Sequence, residues 1–351
     1  MLKSATKVQP SEMAVVSGLP STMQALILEE PGCLTLRQIP IPTPSPGDLL
    51  IRVVAATTCG TDLKAYLRGH PQIPMPSVLG HEYSGVVEAV GEGARFLPGE
   101  AIMGVHSAPC GRCRWCQRDQ ENLCESIMST KVLGSYAEYL LIPERIVRKN
   151  VFHKPDSISF ETAALLEPLA CVAEALRIVR PHREDRVLVI GPGAIGLMFV
   201  AALRLQGVED VTLAGRNPAR LAVGEKLGAR ARPLVNVADG DFDVVIECTG
   251  TVEIWERSLS FARRGGKVVL FGGCPSGSEV RFDTRKLHYD QITLFSPFHF
   301  GTEAVRNARE WLLDPRLDLS PLISGERSLS EGTATFEDLR AGRGLKYVFR
   351  Q

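Results

Sequence analysis

The stretch CGRCRWCQRDQENLC sets Cys110, Cys113, Cys116 and Cys124 within fifteen residues. Four thiolates at this spacing close a tetrahedral shell around Zn²⁺, and a saturated shell leaves no position for chemistry. Such a site lends folding energy to a lobe with little core of its own. An iron–sulfur cluster or free thiols in a loop are the alternatives. A second set of metal-binding residue types is dispersed along the chain. Cys59 lies in TTCGTD, His81 and Glu82 in LGHEYSG, and Glu167 in LLEPLAC. A cysteine, a histidine and one or two carboxylates suit a zinc that keeps a position open for water or substrate. Singly, His81 reads as a structural histidine and Glu82 as a surface carboxylate; their weight comes from occurring together.

A third constellation is RVLVIGPGAIGLMFVAAL, with Gly191, Gly193 and Gly196 in the G-x-G-x-x-G spacing. It follows a short apolar strand and opens an apolar helix at Ala194 and Ile195, the context in which this spacing binds a dinucleotide. Gly191 permits the turn, Gly193 lets backbone approach a pyrophosphate, and Gly196 lets helix and sheet pack closely. The helix N-terminus offers free N–H groups to the anion. An NAD site places an acidic residue about twenty residues further on. Here VTLAGRNPARL has Gly215 at that place and Arg216 next. A missing carboxylate removes repulsion of a 2′-phosphate and a guanidinium pairs with it, so NADP is expected over NAD.

These motifs need elements to position them. The chain has 351 residues, a length suited to two domains, with 44% hydrophobic and 23% charged residues and zero formal net charge. That balance argues against a general nucleic-acid binder. No apolar run is long enough to span a bilayer, and residues 1–22 lack the apolar core of a signal peptide. A cytoplasmic protein with a disordered tail is expected. Nine cysteines without an export signal fit reduced thiols better than disulfides. Residues 23–158 read as short strands and turns, with 135–150 returning to strand after the cysteine lobe. Residues 159–179 carry apolar side chains at helical spacing behind Ser159, a suitable N-cap. Apolar strands alternating with helices then predict a parallel sheet. The closing GLKYVFR reads as a strand that rejoins the first domain.

In CGTD, GHEYSGVV, the four-cysteine lobe, EPLAC, GPGAIG and GLKYVF, from about Met23 onward, the chain resembles the zinc-dependent medium-chain dehydrogenase/reductase superfamily. The polyol (sorbitol-type) and threonine dehydrogenase branch is the most similar. The resemblance implies an α/β fold, with a GroES-like β-rich catalytic domain and an inserted Rossmann domain. Residues 23–165 and 298–351 would form the former, with its structural zinc lobe at about 108–126, and residues 166–297 the latter. It implies two zinc ions per chain. Cys59 and His81 match the ligands of the catalytic one, Glu82 a carboxylate that ligates directly or supports from behind, and Glu167 a position that binds zinc directly or through water. Cys171, one helical turn later, is a competing ligand or a packing residue. Thr61 matches the residue that hydrogen-bonds the substrate oxygen and starts a proton relay; Asp62 matches a structural acid.

The implied activity is hydride transfer between a secondary alcohol (polyol, sugar alcohol, cyclitol or amino alcohol) and NAD(P), giving a ketone, in a homodimer or homotetramer. Relatives often carry histidine at the position of Lys64; a lysine, normally protonated, is a poorer relay base. The resemblance also places Phe298 and His299 near the substrate pocket, with core or interface roles equally open, as they are for His288 and Tyr289. A zinc-independent quinone or alkene reductase lacks the second metal set, and a non-catalytic zinc and dinucleotide sensor is disfavoured by the intact CGTD and GHE.

Overall fold

The computed structural model describes residues 18–351. The expected N-terminal tail falls mainly on residues 1–17, outside the described residues; strand begins at Thr22. The first half consists of β1 (Thr22–Glu30), β2 (Cys33–Pro40), β3 (Leu49–Thr57), α1 (Gly60–Arg68), β4 (Ser77–Val78), β5 (Tyr83–Val90) and β6 (Ala101–Gly104). After the cysteine lobe come β7 (Tyr139–Ile142), α2 (Glu144–Asn150), β8 (Val151–His153), α3 (Phe160–Ala164) and α4 (Leu166–Val179). β1, β2 and β4 form a small antiparallel sheet. β3 lies inside the larger sheet, antiparallel to β5 and β7, and is buried along most of its length.

The second half alternates strand and helix: β9 (Arg186–Ile190), α5 (Ala194–Leu205), β10 (Asp210–Gly215), α6 (Pro218–Lys226), β11 (Arg230–Pro233), β12 (Phe242–Glu247), α7 (Val252–Phe261), β13 (Ala262–Leu270), α8 (Thr284–Tyr289) and β14 (Thr293–Phe295). These strands form one parallel sheet in the order β11-β10-β9-β12-β13-β14. Val187, Leu188, Val189 and Ile190 of β9 are all buried, as expected of a central strand with helices on both faces. The chain continues through α9 (Thr302–Leu313), β15 (Ile323–Arg327) and α10 (Gly332–Arg340) to β16 (Lys346–Arg350). β16 pairs antiparallel with β3, returning the chain to the first sheet. α9 packs its buried face, Ala304, Val305, Ala308 and Leu312, into the core shared with α4 and α5.

Two local differences from the sequence reading have physical causes. The segment expected as strand through 150 turns helical at Glu144, with Pro143 at the N-cap, Glu144 in the first turn and Arg148 and Lys149 in the last. The helix expected over 159–179 breaks at Leu165. Ser159 caps the first piece, accepting from the N–H of Thr162 at 3.2 Å. An unbroken helix would drive the Pro168 ring into the carbonyl of residue 164. Restarting at Leu166 puts Pro168 in a first turn, where it is tolerated, and makes Glu167 a first-turn residue.

Candidate metal centre and nucleotide crevice

Donor atoms of Cys59, His81 and Glu82 lie within 4.8 Å of one another. Cys59 stands at the N-cap of α1, where its Sγ accepts from the N–H of Thr61 at 3.4 Å. His81 is buried, with Nδ1 3.3 Å from Oδ1 of Asp62. This ion-pair approach, short of a formed hydrogen bond, turns Nδ1 toward Asp62 and leaves Nε2 for the cluster. Asp62 is fully buried and takes the Tyr136 hydroxyl at 2.7 Å. Burial alone would raise the Asp62 carboxyl, but the His81 charge and the bonds from His81 and Tyr136 hold it below the usual range. Burial presses His81 down, and Asp62 and Cys59 more than reverse that, holding the imidazole well above its ordinary value.

Glu82 is fully buried, and one carboxylate oxygen is occupied. That oxygen, Oε2, takes Lys346 Nζ at 2.5 Å and the Thr57 hydroxyl. Lys346 also donates to the carbonyl of Thr58 at 2.7 Å. The other oxygen, Oε1, is buried without a hydrogen-bond partner. A buried, unpartnered carboxylate oxygen beside a thiol and an imidazole nitrogen is what a divalent cation requires, and this donor set fits zinc. Burial raises the Glu82 carboxyl, with Lys346 opposing. A bound dication would pull the same group down.

Glu167 stands beside this trio. Its Oε1 lies 3.2 Å from Nδ1 of His106 and 3.9 Å from the Cys171 thiol. Burial pushes both the Glu167 carboxyl and the Cys171 thiol up. His106 is buried, and its ring meets His81 at 5.1 Å and His299 at 5.2 Å between centroids. His299 sits at φ 59°, in the left-handed region, and its Nε2 lies 2.7 Å from the Ser107 hydroxyl. Thr61 is half-buried in the first turn of α1. Lys64, exposed on the same helix, donates to the carbonyl of Gly273 at 3.3 Å, in the loop after β13. Phe298 is 45% exposed, whereas His288 and Tyr289 meet edge to face, both exposed on α8. Sequence reasoning missed His106, a single histidine after a strand, and Lys346, the partner of Glu82.

Cys110, Cys113, Cys116 and Cys124 also have their sulfur atoms within 4.8 Å of one another. Backbone N–H groups point into the group: those of Arg112 and Cys113 reach Sγ of Cys110 at 3.4 and 3.2 Å, and that of Cys110 reaches Sγ of Cys124 at 3.2 Å. Backbone hydrogen bonds draw the Cys113 thiol down to about 6. Burial and neighbouring sulfurs push Cys116 up to about 12. A metal ionises all of them together.

In the crevice, Gly191 has φ 107°, a conformation that disfavours any side chain. A Cβ at Gly196 would stand 2.0 Å from the carbonyl oxygen of Gly191, so helix and turn touch directly. A Cβ at Gly193 would meet nothing within 4 Å. That open space adjoins the N-terminus of α5, where Gly193 is the N-cap and supplies no side-chain bond. The turn therefore fits a pyrophosphate. Gly215 ends β10, and a Cβ there would lie 2.3 Å from Cδ of Pro192. Arg216 beside it is exposed.

Comparison with known proteins agrees with this architecture. Residues 45–156 match the family model described as Alcohol dehydrogenase GroES-like domain, and residues 194–314 match that described as Zinc-binding dehydrogenase. L-threonine 3-dehydrogenase of Rhizobium etli is 30% identical over 347 residues, covering 93% of this chain and 98% of that protein. The enzyme of the same name from Deinococcus radiodurans is 31% identical, over 93% and 97% of the two chains. A zinc-binding dehydrogenase of Sinorhizobium meliloti 1021, solved bound to NADP, superposes with a TM-score of 0.85 at 30% identity, over 95% of this chain and all of that one. An alcohol dehydrogenase (rspB) of Escherichia coli CFT073, solved with NADH, gives a TM-score of 0.85 at 25% identity, over 95% of this chain and 100% of that one. The chain therefore belongs to the zinc-dependent medium-chain dehydrogenase/reductase superfamily, in its threonine and polyol dehydrogenase-like branch, and is an NAD(P)-dependent dehydrogenase acting at a secondary alcohol or ketone.

Proposed function

We propose that the substrate is a polar secondary alcohol (a polyol, sugar alcohol, cyclitol or amino alcohol), oxidised to its ketone at the Cys59, His81 and Glu82 centre. The observation that carries this reading is the approach of those three donors to within 4.8 Å, with one oxygen of Glu82 buried and unpartnered. The kinship with L-threonine 3-dehydrogenases supports including amino alcohols.

Zinc supplies Lewis acidity that makes an alcohol proton acidic near neutral pH, and the nicotinamide supplies the hydride acceptor. The chain does the rest. Cys59, His81 and Glu82 hold the metal, while Glu167, outside that trio, faces Nδ1 of His106. Asp62 fixes the His81 ring so that Nε2 faces inward. Lys346 and Thr57 hold one oxygen of Glu82 back, which orients the other. The Thr61 hydroxyl takes the alcohol proton and releases its own to solvent water at the half-buried first turn of α1. His106 and His299, the latter braced by the buried Ser107 hydroxyl, give the polar substituents of the substrate hydrogen-bonding partners, since an unmatched hydroxyl in a dry cleft is costly.

We propose NADP as the preferred cofactor. Gly215 leaves no carboxylate to repel a 2′-phosphate, and exposed Arg216 is placed to pair with one. The proposed division has residues 23–165 and 298–351 forming the catalytic domain around 166–297. In it α9 is counted with the catalytic part although its apolar face packs against α4. A homodimer or homotetramer in the cytoplasm completes the proposal; no helix among the described residues is long and apolar enough to cross a membrane. The test is metal analysis of the purified protein followed by a screen of secondary alcohols with NAD and NADP at equal concentration. Two zinc ions per chain and NADP-linked oxidation are expected. Oxidation that persists in Cys59→Ala protein without the second zinc refutes the proposal.

A further inference from the structure

We propose that Glu121 and Asn122 of the cysteine lobe are positioning residues for the substrate cleft, fixing the backbone on either side of His299. This rests on the place given to His299 beside the substrate above, and adds how that place is kept.

Both residues lie between Cys116 and Cys124, in the short turn Glu121–Leu123. In sequence they belong to the lobe; in space they reach residues 296–302, where the loop after β14 enters α9. Asn122 is buried and donates from Nδ2 to the carbonyl of Phe298 at 3.0 Å. Oε2 of Glu121 takes the N–H of Thr302, in the first turn of α9, at 2.8 Å. One bond therefore falls on each side of His299. Gly301, at the N-cap, has no side chain to cap α9, and Glu121 brings a carboxylate to that helix end from elsewhere in the chain. Glu174 adds a weaker hold, taking the N–H of Gly301 at 3.4 Å.

His299 needs such holding. At φ 59° it stands in the left-handed region, which a residue other than glycine keeps only where its surroundings over-determine it. Its ring stacks on buried Phe300 at 4.1 Å and its Nε2 meets the Ser107 hydroxyl. Those contacts seat the ring; the peptide units before and after it are fixed by Asn122 and Glu121. Phe298 is exposed and gives its side of the loop little packing of its own. A cavity of about 310 Å³ lies alongside, lined in part by Glu121, Asn122 and Thr302, so little packing would replace the bonds once lost. A small shift of His299 misaligns its bond to a substrate hydroxyl, which weakens a polar alcohol and spares a plain one.

The experiment uses the zinc-loaded full chain as parent, Glu121→Ala, Asn122→Asp and Glu121→Gln. Asn122→Asp keeps the shape but sets an acceptor against the Phe298 carbonyl; Glu121→Gln keeps an acceptor for Thr302. Amide hydrogen exchange is followed over residues 298–304. Values of kcat and KM are measured for D-glucitol, myo-inositol and L-threonine as polar probes and butan-2-ol as the plain one. Glu121→Ala and Asn122→Asp should keep two zinc ions and exchange about tenfold faster in that segment. They should lose about tenfold in kcat/KM for the polar probe, chiefly through KM, and less than about twofold for butan-2-ol. Glu121→Gln should behave as the parent. Unchanged exchange, equal losses for polar and plain alcohols, or faster exchange with an unchanged polar KM would overturn the assignment. Polar-alcohol oxidation that neither variant alters would sink it and leave the reaction reading standing. A parent that oxidises none of the probes would sink that reading instead. The His299 imidazole signals in NMR, assigned with His299→Gln, then decide: they should move in Glu121→Ala and Asn122→Asp and not in Glu121→Gln, and unmoved signals would refute the positioning role.

Discussion

His81 divides its two nitrogens between Asp62 and the metal cluster, and that division is the most exposed point of the centre. Asp62→Asn keeps the shape but weakens the hold on Nδ1 and favours the wrong tautomer. Zinc affinity should fall about 10- to 100-fold, as is usual when a histidine ligand loses its carboxylate partner. Competition with a chromogenic chelator measures it, and unchanged affinity would show that Asp62 does not orient His81. Lys346→Met acts on Glu82 from behind. It strands a fully buried carboxylate, and stability should drop by about 3–5 kcal/mol in denaturant titrations of the zinc-free protein. Added zinc should recover part of that loss, because a dication at Oε1 supplies the opposite charge that Lys346 no longer gives.

At the scale of elements, the glycine turn and the end of β10 are locked together. Gly215→Asp installs the acid that an NAD site uses, yet its Cβ would lie 2.3 Å from Cδ of Pro192. Overpacking of this kind costs about 1–3 kcal/mol. KM for both cofactors should therefore rise about tenfold or more. In Pro192→Ala/Gly215→Asp the ring atoms are gone and only a contact at 3.6 Å to Cβ remains. That double variant should recover NAD and not NADP. A single variant that binds NAD well would count against the steric account. In the cysteine lobe, Cys116→Ser should remove one zinc per chain and expose residues 108–126 to protease, while the Cys59 centre keeps its ion.

Much of this was legible in the sequence because it is local. The four cysteines, the glycine turn and the alternation of strand and helix each lie within a few tens of residues and follow short-range rules. α2 was misread because Ile146 and Val147 suggest strand, although Pro143, Glu144 and the basic last turn marked a helix. The break at Leu165 was written in Pro168. What spacing could not reveal is the neighbourhood made by the fold. His106 acquires meaning only from Glu167 and His299.

For the molecule as a whole, two imidazoles of the cleft, those of His106 and His299, are kept neutral by their surroundings, unlike that of His81. Burial, and then the neighbouring His106, lowers His299 to about 3 from its ordinary 6.5; burial and His81 lower His106 in the same direction. Between those pH values the unfolded chain protonates this histidine and the folded chain does not. The unfolded state therefore binds more protons, and stability falls as pH drops from about 6.5 towards about 3. Melting temperatures across that window should decline less steeply for His299→Gln than for the parent protein. Equal slopes would show that His299 is accessible to protons in the fold.

The pairing of Glu82 with Lys346 spans 264 positions. Closing so long a loop is entropically slow, and contacts of this range form late. A nascent chain can thus shape its cysteine lobe and its nucleotide turn early, from neighbours in sequence, while the catalytic centre waits for β16 to dock. Metal uptake at the two sites should accordingly be staggered in time, with the lobe filling first and competence for chemistry arriving last.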